Sequence, residues 1–214
     1  MNGAESLVRS LLASNVDVCF TNPGTSEMHF CAALDQVDGM RCVLCLFEGV
    51  VTGAADGYGR MLDRPAATLL HLGPGLGNGL ANLHNARKAN TPIVNIVGEH
   101  ATYHVQYDAP LTADIEGIAR PVSDWVRTSR SADDIGNDAA AAVNASMKPP
   151  GGISTLILPA DTAWTQTASV ADPLGGEAAP CVSDEVIEAC AKILKLNEPT
   201  MLVVGGKGLR ADAL

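Results

Sequence analysis

A glutamate and a histidine stand at positions in the sequence where their side chains could exchange protons. Glu48 lies between the apolar run Val43–Phe47 and Gly49-Val50-Val51. Burial raises the pKa of a carboxyl because it disfavours the ionised form, whereas a helix N-terminus stabilises that form. His71 ends another apolar run, and a histidine titrates near neutral pH, which suits proton transfer. A solvent-exposed acid at a helix start and a core histidine bonded to backbone are the structural alternatives.

The stretch after His71 carries glycine at every second position from Gly73 to Gly79. It is not the G-x-G-x-x-G fingerprint, because Asn78 interrupts the spacing, and no Gly-Lys-Ser/Thr follows as in a P-loop. Because glycine has no side chain, the stretch predicts a loop whose backbone a ligand or another subunit can approach closely.

Two groups of potential metal ligands favour a structural interpretation. Glu99, His100 and His104 follow a strand and a glycine, so the two histidines lack the helix that their i, i+4 spacing needs. Cys42 and Cys45 lie in a strand-like run, where an odd spacing directs two side chains to opposite faces. We therefore predict no metal site formed by these residues.

The composition limits the class of protein. The chain has 214 residues, with 14 Lys+Arg and 24 Asp+Glu, and a formal net charge of −10 at pH 7. Nucleic acids and anionic membranes attract clustered positive charge, so neither is an expected partner. No apolar run reaches the roughly 18 residues of a membrane span, and the first residues lack the basic region of a signal peptide. We expect a reducing, cytoplasmic setting.

Continuously apolar, strand-like runs alternate with helical patterns through residues 1–165. The predicted strands are Val16–Phe20, Arg41–Phe47, Ala66–His71, Pro92–Val97, Asp124–Thr128 and Ile153–Leu158. This alternation predicts an α/β fold with a doubly wound, mostly parallel six-stranded sheet and helices on both faces. Ligands of such sheets bind beyond the carboxyl ends of the strands, so Thr25, Glu48 and His71 are expected along one rim.

The character of the sequence changes after residue 165. Residues 166–182 are rich in Ala, Thr, Gly, Pro and Asp and predict a linker. Residues 183–214 begin with a helix capped by Ser183 and continue to a predicted strand, Met201–Val204. One helix and one strand cannot close a core, so we interpret this segment as the start of a second, incomplete α/β domain.

A set of motifs occurs in a fixed order along the first part of the chain. The motifs are Asn22-Pro23-Gly24-Thr25, Glu48-Gly49, Ala54-Ala55-Asp56-Gly57-Tyr58-Gly59-Arg60, Gly73-Pro74-Gly75, Asn78-Gly79 and Thr91-Pro92. Together they resemble the pyrimidine-binding (PYR) domain of thiamine-diphosphate-dependent enzymes, in the branch of acetolactate synthase and benzoylformate decarboxylase. The resemblance covers residues 1–165, and residues 183–214 look like the start of the central domain of that family.

The resemblance implies a role for individual residues. In these enzymes the glutamate that matches Glu48 hydrogen-bonds N1′ of the aminopyrimidine ring, which helps the cofactor to lose the proton at thiazolium C2. Thr25 matches a substrate-contacting serine of benzoylformate decarboxylase, and His71 matches its proton-transferring histidine. Acetolactate synthases generally lack that histidine, so His71 favours decarboxylase chemistry. The resemblance also implies cofactor contacts, which fall on Pro23, Gly24, Gly75 and Asn78 as well as Glu48.

The family binds the diphosphate through Mg²⁺ and a Gly-Asp-Gly motif in a third domain, and this sequence lacks that motif. The implied cofactors are thiamine diphosphate and Mg²⁺, with the metal held by the diphosphate-binding domain of a partner subunit, and the implied substrate is a 2-oxo acid that is decarboxylated or carboligated. We expect a homodimer or homotetramer that assembles through Glu48, the glycine stripe of its helix and Gly73–Gly79. We expect no turnover by this chain alone. The alternatives are a natural PYR-only subunit of a two-chain decarboxylase and a non-catalytic regulatory module.

Overall fold

Each predicted apolar run between residues 16 and 159 forms a strand of one sheet. The strands are β1 (Val18–Asn22), β2 (Arg41–Leu44), β3 (Ala66–Leu70), β4 (Ile93–Glu99), β5 (Trp125–Thr128) and β6 (Ile153–Pro159). All neighbouring strands pair in parallel, in the order β2-β1-β3-β4-β6-β5. The computed structural model, which describes residues 1–210 and 213, therefore confirms the doubly wound parallel sheet.

Helices cover both faces of this sheet. They are α1 (Gly3–Ala13), α2 (Met28–Gln36), α3 (Glu48–Leu62), α4 (Leu72–Lys88), α5 (Ile115–Ala119), α6 (Ile135–Met147) and α7 (Ala160–Trp164). Helices α1, α2 and α6 bury Leu7, Phe30 and Ile135 on one face, whereas α3 and α4 bury Val51 and Leu76 on the other. Full burial of such a side chain contributes about 1.5–3 kcal/mol, so both faces stabilise the sheet.

The start of α4 corrects a prediction from the sequence. The stretch Gly73–Gly79 is not a loop, because α4 begins at Leu72 and includes all of it. A Cβ atom at Gly73 would lie 2.4 Å from the Ala113 Cβ, so the glycine admits a neighbouring segment. Tertiary packing therefore outweighs the low helix propensity of glycine in this turn.

Other element boundaries also differ from the predictions. The short helices α5 and α7 have five residues each, which is too few to show a helical period in the sequence. The sequence also predicts an N-cap at Ser131, but helix α6 begins at Ile135 with Asp134 at its N-cap. For α1 the sequence predicts an N-cap at Asn2, and the Asn2 side chain indeed accepts a hydrogen bond from the Glu5 backbone N–H at 2.9 Å.

The chain divides into two compact units, Met1–Glu177 and Ala178–Leu214. The segment 166–182, predicted as a linker, begins with contacts to the first unit: Gln166 pairs with Asn2, and the Ala171 N–H donates to the Ser10 hydroxyl at 3.1 Å. No helix among residues 1–210 and 213 has the length and apolar character to cross a membrane.

The second unit contains α8 (Asp184–Leu194) and a 3₁₀ turn, Gly206–Leu209. Ser183 occupies the N-cap of α8, but its side chain makes no capping hydrogen bond. The predicted strand Met201–Val204 is wrong, because these residues have no regular secondary structure and are exposed. A strand needs a neighbour for its backbone hydrogen bonds, and none of the described residues of this unit forms one.

Two glycines of α3 allow a matched test of close packing. A Cβ atom at Gly59 would lie 2.6 Å from Thr91 Cγ2 and 2.8 Å from the Pro92 carbonyl oxygen, whereas nothing lies within 4 Å of one at Gly57. Overpacking by Gly59→Ala should lower the free energy of unfolding by about 1–3 kcal/mol. Gly57→Ala should raise it by up to about 1 kcal/mol, through helix propensity. Urea unfolding measures both changes, and equal effects of the two substitutions would contradict this packing.

Candidate active site

Glu48 is the first residue of α3 and is half-buried. Its Oε2 accepts a hydrogen bond from Asn78 Nδ2 at 3.0 Å. Its Oε1 lies beside the backbone of Gly75, where a Cβ atom would be 3.3 Å away. Because Gly75 and Asn78 both belong to α4, the packing of α3 on α4 sets the position of the Glu48 carboxyl.

Hydrogen bonds join the start of α3 to the middle of α4. The Thr52 hydroxyl donates to the Gly79 carbonyl at 3.0 Å, and Asn82 Nδ2 donates to the Gly49 carbonyl at 2.6 Å. A Cβ atom at Gly53 would lie 3.0 Å from Asn82 Nδ2, so this glycine also permits the contact. These bonds hold the helix turn that follows Glu48 against α4.

The glycines predicted to contact another subunit have different surroundings in the structure. They are Gly49, Gly53 and Gly57 of α3 and the glycines of Gly73–Gly79 in α4. Gly53 of α3 and Gly79 of α4 each admit a side chain of the other helix within the chain. Gly57 and Gly77 have nothing within 4 Å of a Cβ position and leave bare backbone on the surface. Fewer of these glycines are therefore open to another subunit than the sequence predicts.

His71 occupies the N-cap of α4, directly after β3. Its Nδ1 lies 2.8 Å from Glu27 Oε2, and its side chain is 23% exposed. A Cβ atom at Gly24 would lie only 2.3 Å from Nδ1, so the absence of a side chain there admits the imidazole. The next residue, Leu72, is fully buried and has φ of 50°, a strained conformation for a bulky residue that is held by its surroundings.

Glu27 is a fully buried carboxyl that the sequence analysis did not identify. It ends the 3₁₀ turn Thr25–Glu27, and its Oε2 also accepts the Gly24 backbone N–H at 2.7 Å. Its Oε1 has no hydrogen-bond partner among the described residues and lies against Gly98, where a Cβ atom would be 1.6 Å away. Burial raises the pKa of the Glu27 carboxyl, and the hydrogen bonds from Gly24 and His71 lower it in part.

The structure brings most of the predicted site residues to one rim of the sheet. Gly75 lies between Glu48 and His71, because its Cβ position would be 3.3 Å from Glu48 Oε1 and 3.4 Å from His71 Cβ. Pro23 and Thr25 flank Gly24 in the turn after β1. Within the described part of the chain, no hydrogen bond joins the Thr25 side chain to Glu48 or His71.

Thr25 borders a cavity of about 230 Å³ that is also lined by His100, His104 and Trp164. The imidazole rings of His100 and His104 lie with their centroids 5.4 Å apart.

Nearby, the Glu99 side chain accepts the His100 backbone N–H at 2.7 Å, and burial raises the pKa of this carboxyl. Among the residues that the structure describes, no three His, Cys, Asp or Glu side chains form a group that could hold a metal ion.

Comparison with known proteins identifies similar chains. The family model described as thiamine pyrophosphate enzyme, N-terminal TPP binding domain, matches residues 1–118. IlvX of Mycobacterium tuberculosis, which is named as an acetolactate synthase large subunit, is 56% identical over 214 residues, which are 100% of this chain and 41% of that protein. The benzoylformate decarboxylase of Pseudomonas aeruginosa is 32% identical over 182 residues, which are 84% of this chain and 33% of that enzyme.

A solved structure shows the same fold. The thiamine diphosphate-dependent 4-hydroxybenzoylformate decarboxylase of Rhodococcus jostii RHA1 superposes with a TM-score of 0.81 at 24% sequence identity. The superposition covers 91% of this chain and 37% of that structure. The chain therefore spans less than half of the length of these relatives.

Glu27→Gln tests the electrostatics of the buried carboxyl. A raised folded-state pKa means that the folded chain binds this proton more tightly than the unfolded chain. The resulting stability is fully present below the ordinary pKa of 4.5 and is lost as pH rises through the raised value. The free energy of unfolding of the wild type minus that of the variant should therefore decrease as the pH rises from the ordinary pKa through the raised pKa, by about 1.4 kcal/mol for each pH unit that separates these two values. Denaturant unfolding at several pH values measures this difference, and a constant difference would refute the raised pKa.

Proposed function

Because the chain belongs to the thiamine pyrophosphate (TPP, or thiamine diphosphate) enzyme family, we propose that its first 165 residues supply the pyrimidine-binding half of an active site that acts on a 2-oxo acid. The observation that carries this proposal is the half-buried Glu48 carboxyl, held at one oxygen by Asn78 and bordered at the other by bare backbone at Gly75. The names of the two similar proteins, an acetolactate synthase and a benzoylformate decarboxylase, support the substrate class.

The residues of this rim fit the aminopyrimidine ring of TPP. The Glu48 carboxyl is half-buried and so remains within reach of such a ring, while the missing side chains at Gly24 and Gly75 make room for the His71 imidazole and for the Glu48 carboxyl. A ring nitrogen requires a group that can share a proton, and the Glu48 carboxyl is such a group. Bound TPP supplies the nucleophilic carbon and the electron sink for cleaving the bond between the carboxyl and carbonyl carbons of the substrate.

The chain's own residues have three roles in this proposal. Glu48 shares a proton with the ring nitrogen, and Asn78 fixes the orientation of the carboxyl. His71 accepts or donates a proton at its exposed ring nitrogen, on the substrate side. The Thr25 hydroxyl contacts the substrate, and Pro23 shapes the turn that presents it. A histidine at position 71 favours decarboxylation, because proton transfer to the reacting carbon completes that reaction.

A second domain must complete the site. The sequence lacks the Gly-Asp-Gly motif for Mg²⁺ and the diphosphate, so we assign both to the diphosphate-binding domain of a partner subunit, in a homodimer or homotetramer. Leu46, Phe47 and Val50 surround Glu48 in sequence and are 91%, 49% and 55% exposed, which favours a subunit contact there. We also assign residues 166–182 to a linker and residues 183–214 to the start of a central domain. The six free cysteines favour a cytoplasmic location.

Glu48→Gln tests the assigned role in the assembled enzyme that contains this chain, with TPP and Mg²⁺ present. Loss of a proton-sharing carboxyl should lower kcat for CO₂ release from benzoylformate or pyruvate by about 10²–10⁴-fold. Glu116→Gln serves as the control, because the Glu116 side chain is 43% exposed and pairs with Arg120 on α5 and its C-cap. An unchanged kcat in Glu48→Gln would remove Glu48 from the mechanism.

A further inference from the structure

We propose that Glu27 is a positioning residue that holds His71 in the Nδ1–H tautomer and thereby presents an unprotonated Nε2 at the rim of the site. The tautomer is a property of the folded chain. Only its use, in proton transfer to a 2-oxo acid substrate, rests on the proposed function.

The hydrogen bonds around Glu27 Oε2 assign the proton to the imidazole. This oxygen accepts the Gly24 N–H at 2.7 Å and lies 2.8 Å from His71 Nδ1. A carboxylate oxygen accepts two hydrogen bonds readily, and a backbone N–H can only donate. The arrangement is therefore satisfied when Nδ1 carries a proton and donates it to the same oxygen. The neutral imidazole then has its lone pair at Nε2.

Burial makes this preference strong. The Glu27 side chain is 0% exposed, so water does not compete for its Oε2. In a region of low dielectric, a hydrogen bond to a charged acceptor is stronger than in water. When Nε2 takes up a proton, the carboxylate behind the ring stabilises the imidazolium, as the aspartate does in a Ser-His-Asp triad.

Two glycines pack closely against the Glu27 carboxyl and the His71 imidazole. Gly24 approaches the imidazole, where a Cβ atom would be 2.3 Å from His71 Nδ1. Gly98, on β4, approaches the carboxyl, where a Cβ atom would be 1.6 Å from Glu27 Oε1. Neither glycine has a positive φ, so the close approach is the reason for glycine at both positions. The glycines fix the carboxyl relative to the ring.

The second carboxyl oxygen argues against a purely structural role for Glu27. A buried polar atom without a hydrogen bond is destabilising, and Oε1 has no partner among the described residues. An apolar residue of similar size would avoid this penalty. Such an arrangement persists where the group serves a neighbour, and here the neighbour is His71. Because the carboxyl is fully buried, it acts through His71 and does not contact substrate.

The tautomer can be read directly by NMR. The full chain, labelled with ¹⁵N at histidine, is measured at about pH 8, where ordinary imidazoles are neutral. Long-range ¹H–¹⁵N correlations then show which ring nitrogen carries the proton. We expect a protonated Nδ1 and an unprotonated Nε2 for His71. A protonated Nε2 in the wild type would overturn the proposal.

Three variants separate positioning from simple packing. Glu27→Ala removes the acceptor and should abolish the preference of His71 for the Nδ1–H tautomer. Gly98→Ala keeps the carboxyl but displaces it, and should have the same effect. Glu27→Gln keeps a carbonyl oxygen that can accept both N–H groups, and should restore the preference. An unchanged His71 tautomer in both Glu27→Ala and Gly98→Ala would contradict the proposal.

Internal references show that the variants are folded. The signals of His29 and His84 should be unchanged in all three variants, and Glu99→Gln, which alters the half-buried carboxyl at the end of β4, should leave the His71 tautomer as in the wild type. If the Glu99 substitution changed the His71 tautomer to the same extent, the specific role of Glu27 would be refuted. The expected His71 tautomer together with an unchanged kcat of Glu48→Gln in the assembled enzyme would refute the proposed function alone.

Discussion

The close approach of α4 to α3 is the constraint on which the site depends. Hydrogen bonds from Thr52 and Asn82 join the two helices across small residues, and this contact places Glu48 beside Gly75. A glycine in a helix interior costs about 1 kcal/mol relative to alanine, so the glycine-rich start of α4 is locally unfavourable. Packing against α3 and Ala113 offsets this cost. The missing side chain at Gly75 also lets the Glu48 carboxyl lie directly against the backbone of α4.

The two carboxyls of the rim differ in their access to a ligand. Glu48 is half-buried at the start of α3, so part of its side chain remains accessible at the rim. Glu27 is fully buried behind His71 and reaches the rim only through the imidazole. One carboxyl is therefore suited to direct contact and the other to orienting a second group. Environments that differ in this way allow the same chemical group to perform two tasks in one site.

Much of the sheet and part of the site can be predicted from the sequence. Continuous apolar runs show the six strands because both faces of a parallel sheet are buried, and Glu48 and His71 stand out because they end such runs. The helical start of α4 cannot be predicted from local propensity, since its stability comes from distant contacts. Glu27 looks like an ordinary acid in a first helical turn, and its burial depends on Gly98, which lies far along the chain. Met201–Val204 has the composition of a strand, but composition does not supply a pairing partner.

The absence of a side chain at Gly98 couples two positions that are remote in sequence. Any larger residue at position 98 would occupy the volume of the Glu27 carboxyl, so the effect of a substitution at one position depends on the residue at the other. The pair is therefore epistatic: a side chain at position 98 is compatible with a short residue at position 27, and glutamate at position 27 requires glycine at position 98. This dependence predicts that the two positions change together in related chains. The order of such changes is also constrained. The clash is avoided when a shorter residue replaces Glu27 before a larger residue replaces Gly98.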